Sequence, residues 1–243
     1  MSLNETEIDA ILKAEADHDC EGVGANRICV KIAAIADLPT RFGRFQVVAF
    51  WNNRDGKDHI AIMHGNALGR DDVPTRVHSE CLTGDALGSL RCDCRDQLEA
   101  ALIGIAAHDC GLVLYLRQEG RGIGLLNKMR AYALQDRGLD TVEANLALGF
   151  RDDEREYSIA AHMLESLRVG SIRLMTNNPK KVDELSRYGV RITGRLPHVI
   201  PPNEFNRFYL ETKREKSGHI LDLLGKPHLA EQGETIEVAR GRA

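Results

Sequence analysis

The chain has 243 residues, 43% of them hydrophobic, enough for one substantial core or for one domain with a small appendage. A formal net charge of −4 argues against a nucleic-acid binder, whose footprint is a clustered basic excess, so any phosphate affinity must be local. No run approaches the roughly 18 apolar residues that cross a bilayer, the N-terminus is acidic where a secretory signal is basic and then apolar, and the cysteines lack disulfide-dense spacing, so a reducing cytoplasm is the expected setting.

In chain order, residues 1–27 read as an appended, partly mobile segment, polar through Gly22-Val-Gly-Ala, with a short helical pattern from Ile8 to Ala14. From Ile28 the texture turns β-rich. Runs over 28–35, 44–51 and 59–64, separated by Gly43 and by Asn52-Asn-Arg-Asp-Gly-Lys, predict an antiparallel meander. A dense polar stretch with three cysteines follows, and after Cys94 helix and strand alternate. Asp96 and Glu99 sign a capping box ahead of Leu98, Ala101, Leu102 and Ile105. Residues 111–116 form a buried strand, and a glycine loop leads to a helix over 125–136 closed by Gly138. Tyr132 shares a helical face with Leu125 and Met129, which makes it a core residue by default. A helix over 154–167, a strand over 171–176 and a helix opened by Asn178-Pro179 and stopped by Gly189 complete the pattern. Residues 225–243 are a polar tail. This alternation predicts an α/β layered domain over 28–224 with a mixed sheet, the antiparallel meander on its N-terminal side.

Cys81, Cys92 and Cys94 carry the strongest chemical signal. Cys92 and Cys94 flank an aspartate and follow an arginine, a poor sequence for a buried strand, and as thiolates they need a cation. A structural zinc site normally closes with four protein ligands, whereas a hydrolytic one keeps three and leaves a position for water, and the trio fits the open kind. His78 and Glu80 each suit a fourth ligand, an outer hydrogen-bonding partner or a substrate contact, and spacing does not choose. The H-x-E and P-C-x-x-C halves of the nucleobase deaminases are missing, as is a C-x-x-C redox pair. Cys20, Cys29 and Cys110 stand alone as ordinary thiols.

Gln118-Glu-Gly-Arg-Gly-Ile-Gly follows a strand and opens a helix, a setting in which backbone N–H groups cradle phosphate, although a plain glycine turn explains it as well. Leu125 breaks the G-x-G-x-x-G spacing, so a dinucleotide fold is not supported. Glu119 offers a carboxylate for the paired N–H donors of a guanine edge, and Arg121 a guanidinium for anionic oxygens. Asp153 with Glu156 reads as an N-cap and capping box. Arg155 in that first turn opposes the helix dipole, which an anionic substrate would explain. Thr176-Asn-Asn-Pro-Lys-Lys181 sits at a strand's carboxyl end, where ligands bind in open α/β sheets, while Lys180 and Lys181 fit a solvated role equally well.

The stretches Arg76-Val-His-Ser-Glu-Cys-Leu-Thr-Gly-Asp, Ser89-Leu-Arg-Cys-Asp-Cys, Arg117-Gln-Glu-Gly-Arg-Gly-Ile-Gly-Leu-Leu-Asn-Lys, Ala131-Tyr-Ala-Leu-Gln-Asp, Asp140-Thr-Val-Glu-Ala-Asn and Thr176-Asn-Asn-Pro-Lys-Lys, in that order, resemble GTP cyclohydrolase II of riboflavin biosynthesis. The resemblance spans roughly residues 37–221. It implies a hydrolase that converts GTP to 2,5-diamino-6-ribosylamino-4(3H)-pyrimidinone 5′-phosphate, formate and pyrophosphate. One Zn2+ per subunit, Mg2+ with the triphosphate and a homodimer are implied with it. Cys81, Cys92 and Cys94 are then the zinc ligands. Arg76, Val77, His78, Ser79, Glu80, Gln97, Glu119, Gly120, Arg121, Thr141, Thr176 and Lys181 surround the nucleotide. Asp153 is implied as proton acceptor, Arg155 as nucleophile at the α-phosphorus and Tyr132 as a catalytic group in ring opening.

A guanidinium, with a pKa above about 12, is a poor nucleophile unless a base takes its proton. Asp153 is the candidate base, and electrostatic stabilisation without a covalent bond is the alternative. Arg95 stands where the family usually has glycine, and Gly88 where a bulkier residue occurs, so the wall near the metal differs. Two other readings share these motifs: a nucleotide-binding regulatory homologue with structural zinc, and an enzyme of a specialised pathway that stops at the formylated intermediate.

Overall fold

The expected meander forms β1 (Val30–Thr40), β2 (Gly43–Asn52) and β3 (His59–His64), each antiparallel to the next. In the turn after β2 the Asn52 side chain accepts the backbone N–H groups of Arg54 and Asp55, a local bond that competes with strand continuation. The computed structural model describes residues 2–18 and 27–216. The Gly22-Val-Gly-Ala stretch, Cys20 and the tail from Gly225 lie outside the described residues.

β3 pairs antiparallel with β5 (Gly111–Leu116) rather than with the next strand in sequence, β4 (Val73–Ser79). β4 lies between β5 and β6 (Ile172–Met175), parallel to both, and β7 (Ile192–Leu196) extends the row parallel to β6. The seven-stranded order is therefore β1-β2-β3-β5-β4-β6-β7, the mixed α/β sheet that the sequence predicts. From β4 the chain crosses through α2 (Cys94–Ala106) to β5. It returns through α3 (Gly124–Gln135), α4 (Thr141–Ala147) and α5 (Ser158–Ser166) to β6, on the other side of β4.

Each face of the sheet has its own core. On one, α1 (Glu5–Ala16), α5 and α6 (Pro179–Arg187) cover Val48, Met63, Leu112, Leu114 and Leu174. On the other, Ala101, Leu102 and Ile105 of α2 meet Phe45, Ile62, Val113 and Met175. Leu112 and Leu114 face one core and Val113 the other, the period-two alternation of a strand buried on both sides. Each fully buried aliphatic side chain contributes roughly 1.5–3 kcal/mol. Because the β4–β5 crossover packs α2 on one face and the β5–β6 crossover packs α5 on the other, a crevice opens at the carboxyl ends of β4 and β5, the switch point where open α/β sheets bind ligands.

Several local expectations are corrected. α2 starts at Cys94 with Asp93 in the N-cap position, so Asp96 lies inside the helix and no Asp96 capping box opens it. α5 starts at Ser158. Asp153 and Glu156 do not cap it, because the Asp153 carboxylate is held by Arg155, which itself lies in the irregular 151–157 segment and not in a first helical turn. β4, α4 and β7 are additional elements. Cys29 is disulfide-bonded rather than a plain thiol. α1 docks through Leu3, whose backbone N–H donates to Gln46 Oε1 at 2.9 Å. Among the described residues no helix is long and apolar enough to cross a membrane. α7 (Arg207–Lys216) ends the described chain.

Candidate active site

The thiol cluster grows out of the end of β4. Cys81 follows the strand, a tight π-helical turn over Leu82–Ala86 carries the chain away, and Cys94 returns as the first residue of α2. The three sulfurs lie within 4.8 Å of one another. Gly84 makes this possible: a Cβ there would stand 2.8 Å from Cys92 Sγ and 3.1 Å from Cys81 Sγ. Asp85 braces the turn, accepting the Cys81 backbone N–H at 3.0 Å and the Tyr115 hydroxyl at 2.8 Å. His78 Nε2 spends its bond on the same carboxylate at 3.1 Å, so neither His78 nor Glu80 belongs to the cluster.

The donor chemistry fits a divalent, thiophilic ion with an open position. Bonds from Cys92 and Cys94, with the nearby Lys128 ammonium, hold the Cys81 thiol well below its ordinary range. Its neighbours are pushed up, Cys92 to about 11, because each hydrogen-bonds Cys81, and burial and the nearby negative charge disfavour a further thiolate. A metal cation supplies the missing compensation. Zinc with three protein sulfurs keeps one position for solvent.

Beside the cluster lies a cavity of about 430 Å3. Arg76, buried on β4, donates to the Met175 carbonyl at 2.8 Å and to Gln97, whose amide in turn reaches Asp93. Burial lowers the Arg76 pKa to about 10, so it stays cationic at neutral pH. Lys181, also buried, donates to the Val77 carbonyl at 2.8 Å, whereas Lys180 is exposed, which separates two lysines that the sequence leaves equivalent. Arg76 Nε, His78 Nδ1, Ser79 Oγ and Arg121 Nη2 are buried without a protein partner, and buried polar groups of this kind are normally satisfied by ligand or water.

The glycine turn over Glu119–Gly122 holds Gly120 and Arg121 in left-handed backbone, at φ 64° and 59°. For arginine that conformation is strained, a cost that persists where surrounding structure enforces it. Arg121 Nη1 donates to Asp152 Oδ1 at 2.6 Å, and the Arg121 carbonyl accepts the Glu154 N–H at 3.0 Å. A Cβ on Gly122 would meet the Glu154 backbone at 2.9 Å, so only glycine lets the 151–157 segment press onto the turn. That contact delivers Asp153 and Arg155, joined by a two-pronged pair in which Arg155 Nε donates to Oδ1 at 2.8 Å and Nη2 to Oδ2. Burial disfavours charge on both and is outweighed: the bonds and charge of Arg155 hold Asp153 below the usual carboxylate range, and Tyr157 together with Asp153 holds Arg155 above the usual arginine value.

Tyr132 is a wall residue, not a core one. Its hydroxyl lies 3.3 Å from Thr83 Oγ1 on the metal turn, and Arg91 stacks over its ring at 4.9 Å. Burial raises its pKa to about 12, which keeps it protonated. Leu125 and Met129, expected to share its buried face, are 37% and 38% exposed, while the buried positions of α3 are Lys128 and Ala131. Arg76, His78, Ser79, Glu80, Gln97, Glu119, Gly120, Arg121, Thr141, Arg155, Thr176 and Lys181 line one cavity together with Tyr132 and the cysteines. Val77 and Asp153 are not in the lining, and the Val77 side chain faces the core. The Glu119 carboxylate already accepts from Leu82, Gly120 and Lys128, which leaves the guanine edge little of it. Lys128, His198 and Tyr209 are lining residues the sequence reading missed. Only Lys128 left a signal, falling at the buried position of an amphipathic helix.

A cation-rich cleft with a thiol cluster in its wall, at the switch point of an open α/β sheet, is the layout of an α/β enzyme acting on an anionic small molecule. A sequence profile described as GTP cyclohydrolase II matches residues 31–197. GTP cyclohydrolase-2 of Picrophilus torridus is 56% identical over 186 residues, 76% of this chain and 96% of that protein. The Escherichia coli O9:H4 protein of the same name is 55% identical over 193 residues, covering 79% and 98% of the two chains. The Proteus mirabilis one is 54% identical over 188, covering 77% and 94%. The chain belongs to the GTP cyclohydrolase II family of hydrolases.

Proposed function

We propose that this chain opens the imidazole ring of GTP, releasing formate and pyrophosphate and leaving 2,5-diamino-6-ribosylamino-4(3H)-pyrimidinone 5′-phosphate, the first step of riboflavin biosynthesis. The observation that carries this reading is the meeting of the cysteine trio and Arg155 in the walls of one nucleotide-sized cavity. Cys81, Cys92 and Cys94 hold zinc, which when bound supplies the Lewis acidity that brings a water's pKa down to about 7 for attack on the imidazole carbon. Tyr132, protonated and bonded to Thr83, is placed to hand a proton to the opening ring. Arg76, Lys181, Arg121 and Arg155 line the cavity with positive charge, and the last two are the proposed partners of the phosphates.

Arg155 acts as a fixed cation at phosphorus. Its raised pKa and two-pronged hold on Asp153 support electrostatic stabilisation over attack by a neutral guanidine. Mg2+ arrives with the triphosphate, whose oxygens are its natural ligands: among the described residues the cysteine trio is the one cluster of three or more potential metal-binding groups. Assembly as a homodimer belongs to the same proposal and is checked by sedimentation of the pure protein.

Incubation with GTP, with formate, pyrophosphate and the diaminopyrimidine scored separately, tests the reading. The intact chain is expected to give all three. Cys94→Ser exchanges a thiolate for a weak oxygen ligand and should abolish formate along with bound zinc, while pyrophosphate release persists. Formate at the wild-type rate from zinc-free, folded protein would reject the metal role. No turnover from the zinc-loaded intact chain would favour the regulatory homologue.

A further inference from the structure

The lysine on the inner face of α3 has no part in the reading above. Lys128 is 8% exposed, and its ammonium nitrogen lies 3.0 Å from Cys81 Sγ and 2.7 Å from Glu119 Oε1. The other oxygen of Glu119 accepts the Leu82 N–H at 2.6 Å, one residue beyond Cys81. Together these contacts close a ring from Cys81 through Leu82, Glu119 and Lys128 back to the sulfur. It joins the end of β4, the glycine turn and α3.

We propose that Lys128 is a positioning residue of the metal site, holding the Cys81 sulfur by a charged hydrogen bond and tuning how strongly it donates to the metal. The inference rests on zinc being bound by the cysteine trio. Three thiolates around a divalent ion carry one net negative charge, and Glu119 brings another into the same buried wall. Among the described residues Lys128 is the cation bonded to both. An N–H aimed at a thiolate draws electron density away from the metal and fixes the sulfur in place, the role that outer partners of metal ligands commonly play. A lysine that merely neutralised Glu119 would not need to reach the sulfur.

Metal binding is measured first on the intact chain, by zinc competition with a chromophoric chelator and by cobalt substitution. Failure of the intact chain to bind either ion would overturn the zinc reading itself. With binding established, Lys128→Met keeps the stem and loses the charged donor. Its zinc affinity should fall about 10–100-fold. Its sulfur-to-cobalt charge-transfer band should move to lower energy, while circular dichroism stays native. Lys128→Arg, which keeps a charged donor, should recover most of the affinity and the band position. Affinity and band unchanged in Lys128→Met would overturn the proposal. If that variant does not fold, Lys128→Gln, which retains an N–H but no charge, is read by the same two measurements: an unshifted band with wild-type affinity sinks the idea, and a shifted band with weaker binding sustains it.

Discussion

Arg155 and Asp153 show how a charged pair is made stable inside a protein wall. Each costs energy to bury alone, and their parallel hydrogen bonds, helped by the Arg155 backbone N–H on the same carboxylate at 3.1 Å, offset that cost. The forked geometry is specific to arginine. Lysine at this position would keep the charge but present a single point donor, losing both the two-pronged grip on Asp153 and the planar fork that suits phosphate oxygens. Arg155→Lys is therefore expected to lower pyrophosphate release by about 10²–10³-fold with a native circular dichroism spectrum. Release within a few-fold of wild type would remove Arg155 from the phosphate chemistry.

At the scale of one element, α3 inverts the usual rule for an amphipathic helix. Leu126 is 76% exposed, whereas Lys128 is buried, because the inner side of α3 lines the cleft rather than an apolar core. Tyr132→Phe should therefore leave the melting temperature unchanged within about 2 °C and cut formate release, which is read by product analysis beside calorimetry. A drop in melting temperature with full turnover would restore the core assignment. The same inversion explains what could be read in advance. β5 was legible as an apolar run opening at Gly111, and α6 through its stops, the Asn178-Pro179 start and Gly189 beyond its end. β4 was not, since Arg76 and His78 are buried on a central strand and look, in sequence, like a polar loop. Most of the site residues that motif order named in advance line the cavity, Val77 and Asp153 excepted. Their contacts were not legible: Asp153 also fits a helix cap, and the helical position of Lys128 marks it as buried without showing that it reaches a sulfur.

Across the whole molecule, burial depresses the basicity of several histidines. His59, His78 and His198 all have lowered pKa values, His198 to about 3 against an unfolded value of 6.5. For such a group the unfolded chain binds the proton more readily, so stability rises with pH across the gap. The contribution is complete above about pH 6.5 and is lost progressively as pH falls toward about 3, where the lowered carboxyl of Asp153 begins to act in the same direction. The melting temperature should be level from pH 8 to 7 and decline from pH 6.5 to 5. His198→Gln, which keeps an N–H for the Gln97 carbonyl, should make that decline shallower. A level melting temperature down to pH 5 would show that these histidines are not held neutral.

The ring through Cys81, Leu82, Glu119 and Lys128 also has a kinetic signature. Amides that depend on one closed circuit open only when the circuit opens, so segments far apart in sequence should report a single opening free energy in native-state hydrogen exchange. The Leu82 and Gly120 amides both end on the Glu119 carboxylate, and the Gly84 amide ends on the Cys81 sulfur at 3.3 Å. Their exchange rates should respond together to denaturant and slow together when zinc is added. Independent exchange of Gly120 from Leu82 would mean that the glycine turn and the thiol turn breathe separately.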